Sequence, residues 1–347
     1  GFTDKGATER LALQLEEESR QIKTGLRVKT SAERREALSD AVVRFETHLR
    51  NRDITAKQVD ETIARIKRVI QNQKLTGAAE ITADTVESFL AELRASGRSK
   101  QTSNHYLKSV KQFCGWLVKT DRLIENPVAD IKRLNVETDR RHPRRPLSDE
   151  EYQLLVSAAS VGPDIESISG PDRAMLYVLA AWTGYRKGEI GSLARDSFDL
   201  ESDPPTVTVE AAFSKRRRQD TQVLHPEVAS LLCRWLNDGP SRADGDLLFP
   251  VSGGVEGGTE RKTHKMIKLD LAAARTVWLG KATSPEDRMR REDSDFLQYK
   301  DRRGRHADFH ATRHTFITNL ARAGVSPKTV QELARHSDIR LTMGVYT

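Results

Sequence analysis

The 347-residue sequence is short of several things that would point elsewhere. It holds only two cysteines, Cys114 and Cys233. Two are too few for a disulfide framework, and both fall in apolar helical patterns, so they read as reduced core residues. No run of about eighteen apolar residues occurs, so no membrane-spanning helix and no membrane partner are expected. The opening GFTDKGATER has no apolar stretch and is not a signal peptide. The glycine-rich stretch GGVEGGTERKT, residues 253–263, does not end in Gly-Lys-Ser/Thr and reads as a flexible loop, not a phosphate loop. There is no internal repeat. His306, His310 and His314 recur every four residues, a spacing at which imidazoles can share Zn²⁺. With no cysteine near and no HExxH glutamate, they read as helix-start and core histidines, and no metal or other cofactor is expected. A cytoplasmic, nucleoid-associated setting follows.

What is present is charge. Charged residues make up 31% and hydrophobic ones 37%, a globular profile, and the net charge is +7 with a pI of about 9.3. Between Ser96 and Pro146 lie twelve Lys and Arg against five Asp and Glu, so the whole excess sits there and the remainder is balanced. A solvated charged face would explain such a run. A surface that tracks phosphates explains its confinement better, with Lys100, Lys108, Lys111, Arg140, Arg141, Arg144 and Arg145 as the candidates.

Residues 1–30 contain a charged, narrowly amphipathic helical stretch (4–24), expected to be an arm or linker. Four helical periodicities follow, over Arg35–Leu49, Lys57–Gln71, Ala83–Arg94 and Thr102–Lys119, and define a helical domain over 31–135. The stretch VETDRRHPRRP, 136–146, is basic, holds two prolines and reads as an extended linker. A second domain, 147–347, opens with a capping box of Ser148 and Glu151. It contains an apolar helix Asp172–Thr183, strands Pro205–Val209 and Asp220–Leu224, and a core helix Met266–Leu279. The expected fold is mainly α with a small β-sheet, the second domain being α+β.

The stretch HATRHTFITNLARAGVSPKTVQELARHSDIRLTMGVYT closes the sequence. His310 and Arg313 are three apart at a helix start and share a face. Gly324 stops that helix, and Ser326-Pro327 opens another that ends near His336. Tyr346 stands ten residues beyond His336. Upstream, TGYRKGEI puts Arg186 after a turn and Glu189 one helical turn on. In isolation this reads as a helix-start arginine paired with its own glutamate.

The ordered set His-x-x-Arg, His-Ser and Val-Tyr-Thr, with the upstream arginine, resembles the tyrosine recombinase (phage integrase) family. The stretch Ser99–Val128, an aromatic-rich helix followed by Glu-Asn-Pro, is similar to that family's core-binding domain, which forms half of a clamp around the duplex. The resemblance implies a site-specific recombinase acting on double-stranded DNA through a 3′-phosphotyrosyl intermediate, as a homotetramer on paired sites, integrating or excising a mobile element. A type IB topoisomerase and a catalytically inactive DNA-binding protein are the alternatives. It also implies roles. Arg186 and Arg313 clamp the phosphate, and Glu189 holds Arg186. Lys215, in the basic hairpin FSKRRRQD, protonates the leaving oxygen, with Arg216, Arg217 and Arg218 beside it as DNA contacts. His310 is the base, His336 bonds a non-bridging oxygen and Tyr346 is the nucleophile. One departure stands out: Arg335 occupies the position where the family usually has glycine before the histidine, which is expected to crowd the turn.

Overall fold

The computed structural model describes Gly6, Thr8, Leu13, Glu16, Arg20 and residues 36–214, 217–239, 243 and 245–346, and for Val345 and Tyr346 it describes the backbone only. The expected helical arm thus lies almost wholly outside the described residues, as do Lys215 and Arg216. The chain divides into two compact units, Gly1–Arg141 and His142–Thr347. The division falls inside the basic segment read as a linker. That segment is less extended than expected, because Val136–Asp139 winds into a short 3₁₀ turn.

The first unit is a bundle of α1 (Leu38–Arg50), α2 (Ala56–Asn72), α3 (Ala83–Ala95) and α4 (Lys100–Lys119). Each presents one apolar stripe: Leu38, Val42, Phe45 and Leu49 on α1, and Tyr106, Val110, Phe113 and Leu117 on α4 are all buried. Thr55, Thr82 and Ser99 cap α2, α3 and α4 with their hydroxyls. Phe45 meets Phe113 and Trp116 at ring separations of 5.2 and 5.4 Å, and Cys114 is fully buried beside them. Burial pushes the Cys114 thiol up to about 12, so it stays protonated, as a reduced core residue should.

The second unit starts with α5 (Asp149–Ser160) and α6 (Gly170–Thr183), followed by the single-turn α7 (Lys187–Ile190). A three-stranded antiparallel sheet follows, ordered β1 (Phe198–Asp199), β2 (Thr206–Val209) and β3 (Asp220–Val223). Val207 and Val209 point into the core while Thr208 pairs with Thr221 outside. Helices α8 (Pro226–Asp238), α9 (Thr263–Gly280) and α10 (Pro285–Glu292) come next. Then α11 (Ala311–Arg322), α12 (Pro327–Leu333) and α13 (Arg340–Tyr346) carry the closing motifs. One buried ion pair pins α9 to α6: Arg173 donates to both carboxylate oxygens of Asp270 at 2.9 and 3.0 Å, and Tyr177 donates to the same group at 2.7 Å.

Candidate active site

Arg186 follows Gly184, which ends α6 in the left-handed conformation at φ 63°. Glycine is needed there twice over, because a Cβ would also strike the Phe316 ring of α11. Arg186 then stands at the N-cap of α7, where Glu189 reaches back. One Glu189 oxygen accepts the Arg186 guanidinium at 2.8 Å and the other accepts its backbone N–H at 2.8 Å. Glu189 is buried, whereas the Arg186 side chain keeps 26% of its surface exposed, so the cation reaches solvent with its carboxylate behind it.

His310 and Arg313 occupy the start of α11, as their spacing implied. Arg313 is 2% exposed. It donates to the backbone carbonyls of Gly184 and Ala334, which stand two residues before Arg186 and two before His336. Three motifs far apart in sequence therefore meet on one guanidinium, which keeps three of its five N–H groups for other acceptors. Burial, with Arg186 and Arg335 close by, lowers the Arg313 pKa to about 9.

Both histidines are half-buried among cations. His310 is pushed down to about 4, by burial first and then by Arg144, His314 and Arg313. His336 is likewise pushed down to about 4, by burial and then by Arg313 and Arg186. Both imidazoles are therefore neutral near pH 7, each with one N–H donor and one lone pair. His336 Nδ1 lies 3.0 Å from the hydroxyl of the buried Thr342. When that hydroxyl donates, the imidazole proton sits on Nε2, leaving Nε2–H to meet an acceptor in the cleft. Thr342 is one helical turn before Tyr346 on α13, so the pair ties the helix of Tyr346 to His336.

Arg335 does not crowd the turn as expected. The backbone adopts φ 52°, a left-handed conformation costing a non-glycine residue about 1–2 kcal/mol. The side chain folds inward, and its guanidinium lies 4.0 Å over the ring of Tyr185. It donates to Gln222 of β3 at 2.9 Å and to Glu189 at 3.1 Å. One buried carboxylate thus serves two arginines, Arg186 and Arg335. A cleft of about 510 Å³ opens here, lined among others by Arg218, Gln222, Lys328, Gln331, Arg335 and His336. His310 lines a smaller one of about 200 Å³ with Tyr185, Lys187 and His264.

The expected DNA contacts sort unevenly. Lys108 is exposed. Lys111 donates to the Ala129 carbonyl and Lys100 to the Thr138 hydroxyl. Arg140 and Arg141 are exposed but paired with Glu137 and Asp139. Arg217 and Arg218 are exposed at the hairpin, and Arg218 lies 3.4 Å from Asp220. Arg144 is held by Asp308, just before His310. Arg145 corrects the expectation outright: it is buried, bidentate to Glu151 at 2.8 Å and bonded to the Gln298 carbonyl. Its charge is neutralised inside the fold and does not reach the surface. The histidines read as a possible zinc ladder separate too. His306 stacks on His142 at 3.9 Å, and His310 meets His314 edge-on at 5.7 Å. Among the described residues no three His, Cys, Asp or Glu side chains are placed to hold a metal, and no helix is long and apolar enough to cross a membrane. Sequence reasoning missed the supporting parts, Thr342, Gln222 and the inward turn of Arg335. Only Arg335 carried a signal, as an oddity where glycine was expected.

Residues 145–347 match the phage integrase family. The chain belongs to that family, the tyrosine recombinases, enzymes of site-specific DNA strand exchange. Tyrosine recombinase XerC of Bacillus pumilus is 27% identical over 295 residues, covering 85% of this chain and 85% of the relative. Two solved structures share the fold at 17% identity. The Tn1549 transposon integrase, in complex with transposon right-end DNA, gives a TM-score of 0.63 over 90% of this chain and 95% of its own. A lambda integrase dimer bound to a core site gives 0.61 over 90% and 96%.

Proposed function

We propose that Arg186, Lys215, His310, Arg313, His336 and Tyr346 together cleave and rejoin duplex DNA, and that the chain integrates or excises a mobile element as a homotetramer on paired sites. The observation that supports this most is the position of Arg313, which draws the turns bearing Arg186 and His336 onto one guanidinium. The transition state of phosphoryl transfer spreads negative charge over equatorial oxygens, and paired guanidiniums suit it because they stay charged and donate in forks. The Tyr346 oxygen attacks phosphorus and gives its proton to neutral His310. The bond from phosphorus to the 5′-oxygen breaks, and Lys215 protonates that oxygen as it leaves. Neutral His336 donates Nε2–H to a non-bridging oxygen. The 3′-phosphotyrosyl bond keeps the energy of the original ester. A 5′-hydroxyl from another strand then reverses the step and receives the phosphate, so no nucleotide is consumed.

Exposed Lys108, Arg140, Arg141, Arg217 and Arg218, with Lys100, Lys111, Arg144 and Arg216, would contact the backbone. Such contacts weaken steeply between about 50 and 200 mM salt. The test is a supercoiled plasmid carrying two candidate sites, compared with one carrying a single site. Recombinant products only from the paired-site plasmid are expected. Relaxation that ignores site number would replace the recombinase reading with a topoisomerase one.

A further inference from the structure

We infer that Arg335 is a positioning residue that locks the β2–β3 hairpin to the Arg186–Glu189 pair, so that the hairpin delivers its proton donor to the leaving oxygen. The inference rests on the reading of Lys215 as that donor. Its ground is the unusual set of contacts Arg335 makes. One N–H reaches Gln222, an inward-facing residue of β3, and another reaches Glu189 behind Arg186. Between them the guanidinium covers the ring of Tyr185, which is 1% exposed and directly precedes Arg186. Arg335 itself directly precedes His336. A single side chain therefore spans the hairpin, the arginine turn and the histidine turn.

The arrangement carries costs to the fold. The backbone is left-handed at φ 52°, where glycine would sit without strain. The Nε–H is buried with no acceptor among the described residues. Burial also lowers the guanidinium's pKa, opposed by Glu189 and Tyr185. Each of these disfavours the folded state, and glycine would remove all of them. What glycine cannot supply is the link from Gln222 to Glu189. Near the tip, the hairpin also has local contacts: Ser214 donates to Asp220 at 2.9 Å and Arg218 pairs with Asp220.

The test compares single-turnover cleavage of two nicked duplexes that differ in one atom. One has the normal 5′-bridging oxygen and the other a 5′-bridging sulfur, which departs without a proton. Arg335→Gly relieves the left-handed backbone but takes a buried guanidinium away from Glu189 and Tyr185, so it should melt lower than the parent yet stay folded at the assay temperature, as circular dichroism reads, and should bind DNA as well. Its cleavage of the oxygen substrate should fall roughly 10–100-fold, as expected for a misplaced proton donor, and that of the sulfur substrate less than about threefold. Gln222→Ala cuts the same link without touching Glu189 and should show the same preference for sulfur. Lys215→Ala is the control. If sulfur rescues Lys215→Ala but neither Arg335→Gly nor Gln222→Ala, or if these two cleave normally, Arg335 has no such role while Lys215 keeps its own. If sulfur rescues none of the three, the leaving-group reading of Lys215 fails and takes this inference with it. Rescue of Arg335→Gly without rescue of Lys215→Ala would support the link and move the donor to another hairpin residue.

Discussion

Replacing Glu189 with glutamine removes one charge and alters nothing in shape. In the folded protein that carboxylate accepts three hydrogen bonds: the Arg186 N–H at 2.8 Å, the Arg186 guanidinium at 2.8 Å and the Arg335 guanidinium at 3.1 Å. With Arg313 also near, three guanidiniums share this one buried anion. Glutamine offers a single acceptor oxygen and turns an NH₂ toward a cation that also donates. A hydrogen bond to a charged group contributes about 1.5–3 kcal/mol, and breaking a buried pair costs about 3–5 kcal/mol. Glu189→Gln should therefore lower stability by about 3 kcal/mol, a fall in Tm of roughly 6–12 °C for a unit of this size. The same logic fixes the response to DNA. A phosphate seated between Arg186 and Arg313 returns an anion to the cluster, so DNA should raise the Tm of the variant more than that of the parent. Calorimetry with and without a short duplex measures both. A variant within about 0.5 kcal/mol of the parent, with an equal DNA-induced rise, would refute the view that Glu189 neutralises a cation cluster waiting for phosphate.

Acid should loosen the fold through its half-buried histidines. His310 and His336 take up protons only near pH 4 when folded but near 6.5 when unfolded, so the unfolded chain binds more protons between those values. Their contribution is complete above about pH 6.5 and is lost as pH falls toward 4. Urea midpoints at pH 7 and pH 5 should show that loss, and His310→Gln with His336→Gln should shrink it; an undiminished loss would mean that other groups carry it. The arginines of the basic segment should separate by assay. Arg145→Ala leaves Glu151 buried without its main partner and should cost about 3–5 kcal/mol, with DNA affinity of the folded protein unchanged. Arg140→Gln with Arg141→Gln should weaken binding to every duplex alike, at a stability cost of about 1 kcal/mol from the lost Arg141 bonds to Asp139 and the Gly97 and Arg98 carbonyls. A sequence-selective loss would make these two base readers.

Most of the helices were legible because they show an apolar stripe, and several carry ordinary caps. Ser148–Glu151 and Ser326-Pro327 mark real helix starts, and Gly324 follows closely on the end of α11. Boundaries moved by a residue to three, as where α4 begins at Lys100 and not Thr102. Helix α8 was not singled out, although His225 caps it and Pro226 opens it. Strand β1, two residues long, has no alternation to read. In the site, the pairing of Arg186 with Glu189 is local and its spacing announced it. Arg313 reaching Gly184, Arg335 reaching Gln222 and Arg145 reaching Gln298 are set by tertiary packing, which no periodicity encodes. Arg145 shows the resulting error plainly. In sequence it is one of four arginines in a basic run, and in the fold it is an internal ion pair.

The most direct measurement concerns the nucleophile. Wild-type protein trapped on a nicked suicide duplex should yield, after digestion, a nucleotide attached to the peptide containing Tyr346. Tyr346→Phe should bind the same duplex with unchanged affinity and form no adduct, since the cations proposed to hold phosphate are intact. An adduct mapped to Tyr185 or Tyr299, or a Tyr346→Phe protein that still cleaves, would contradict the account.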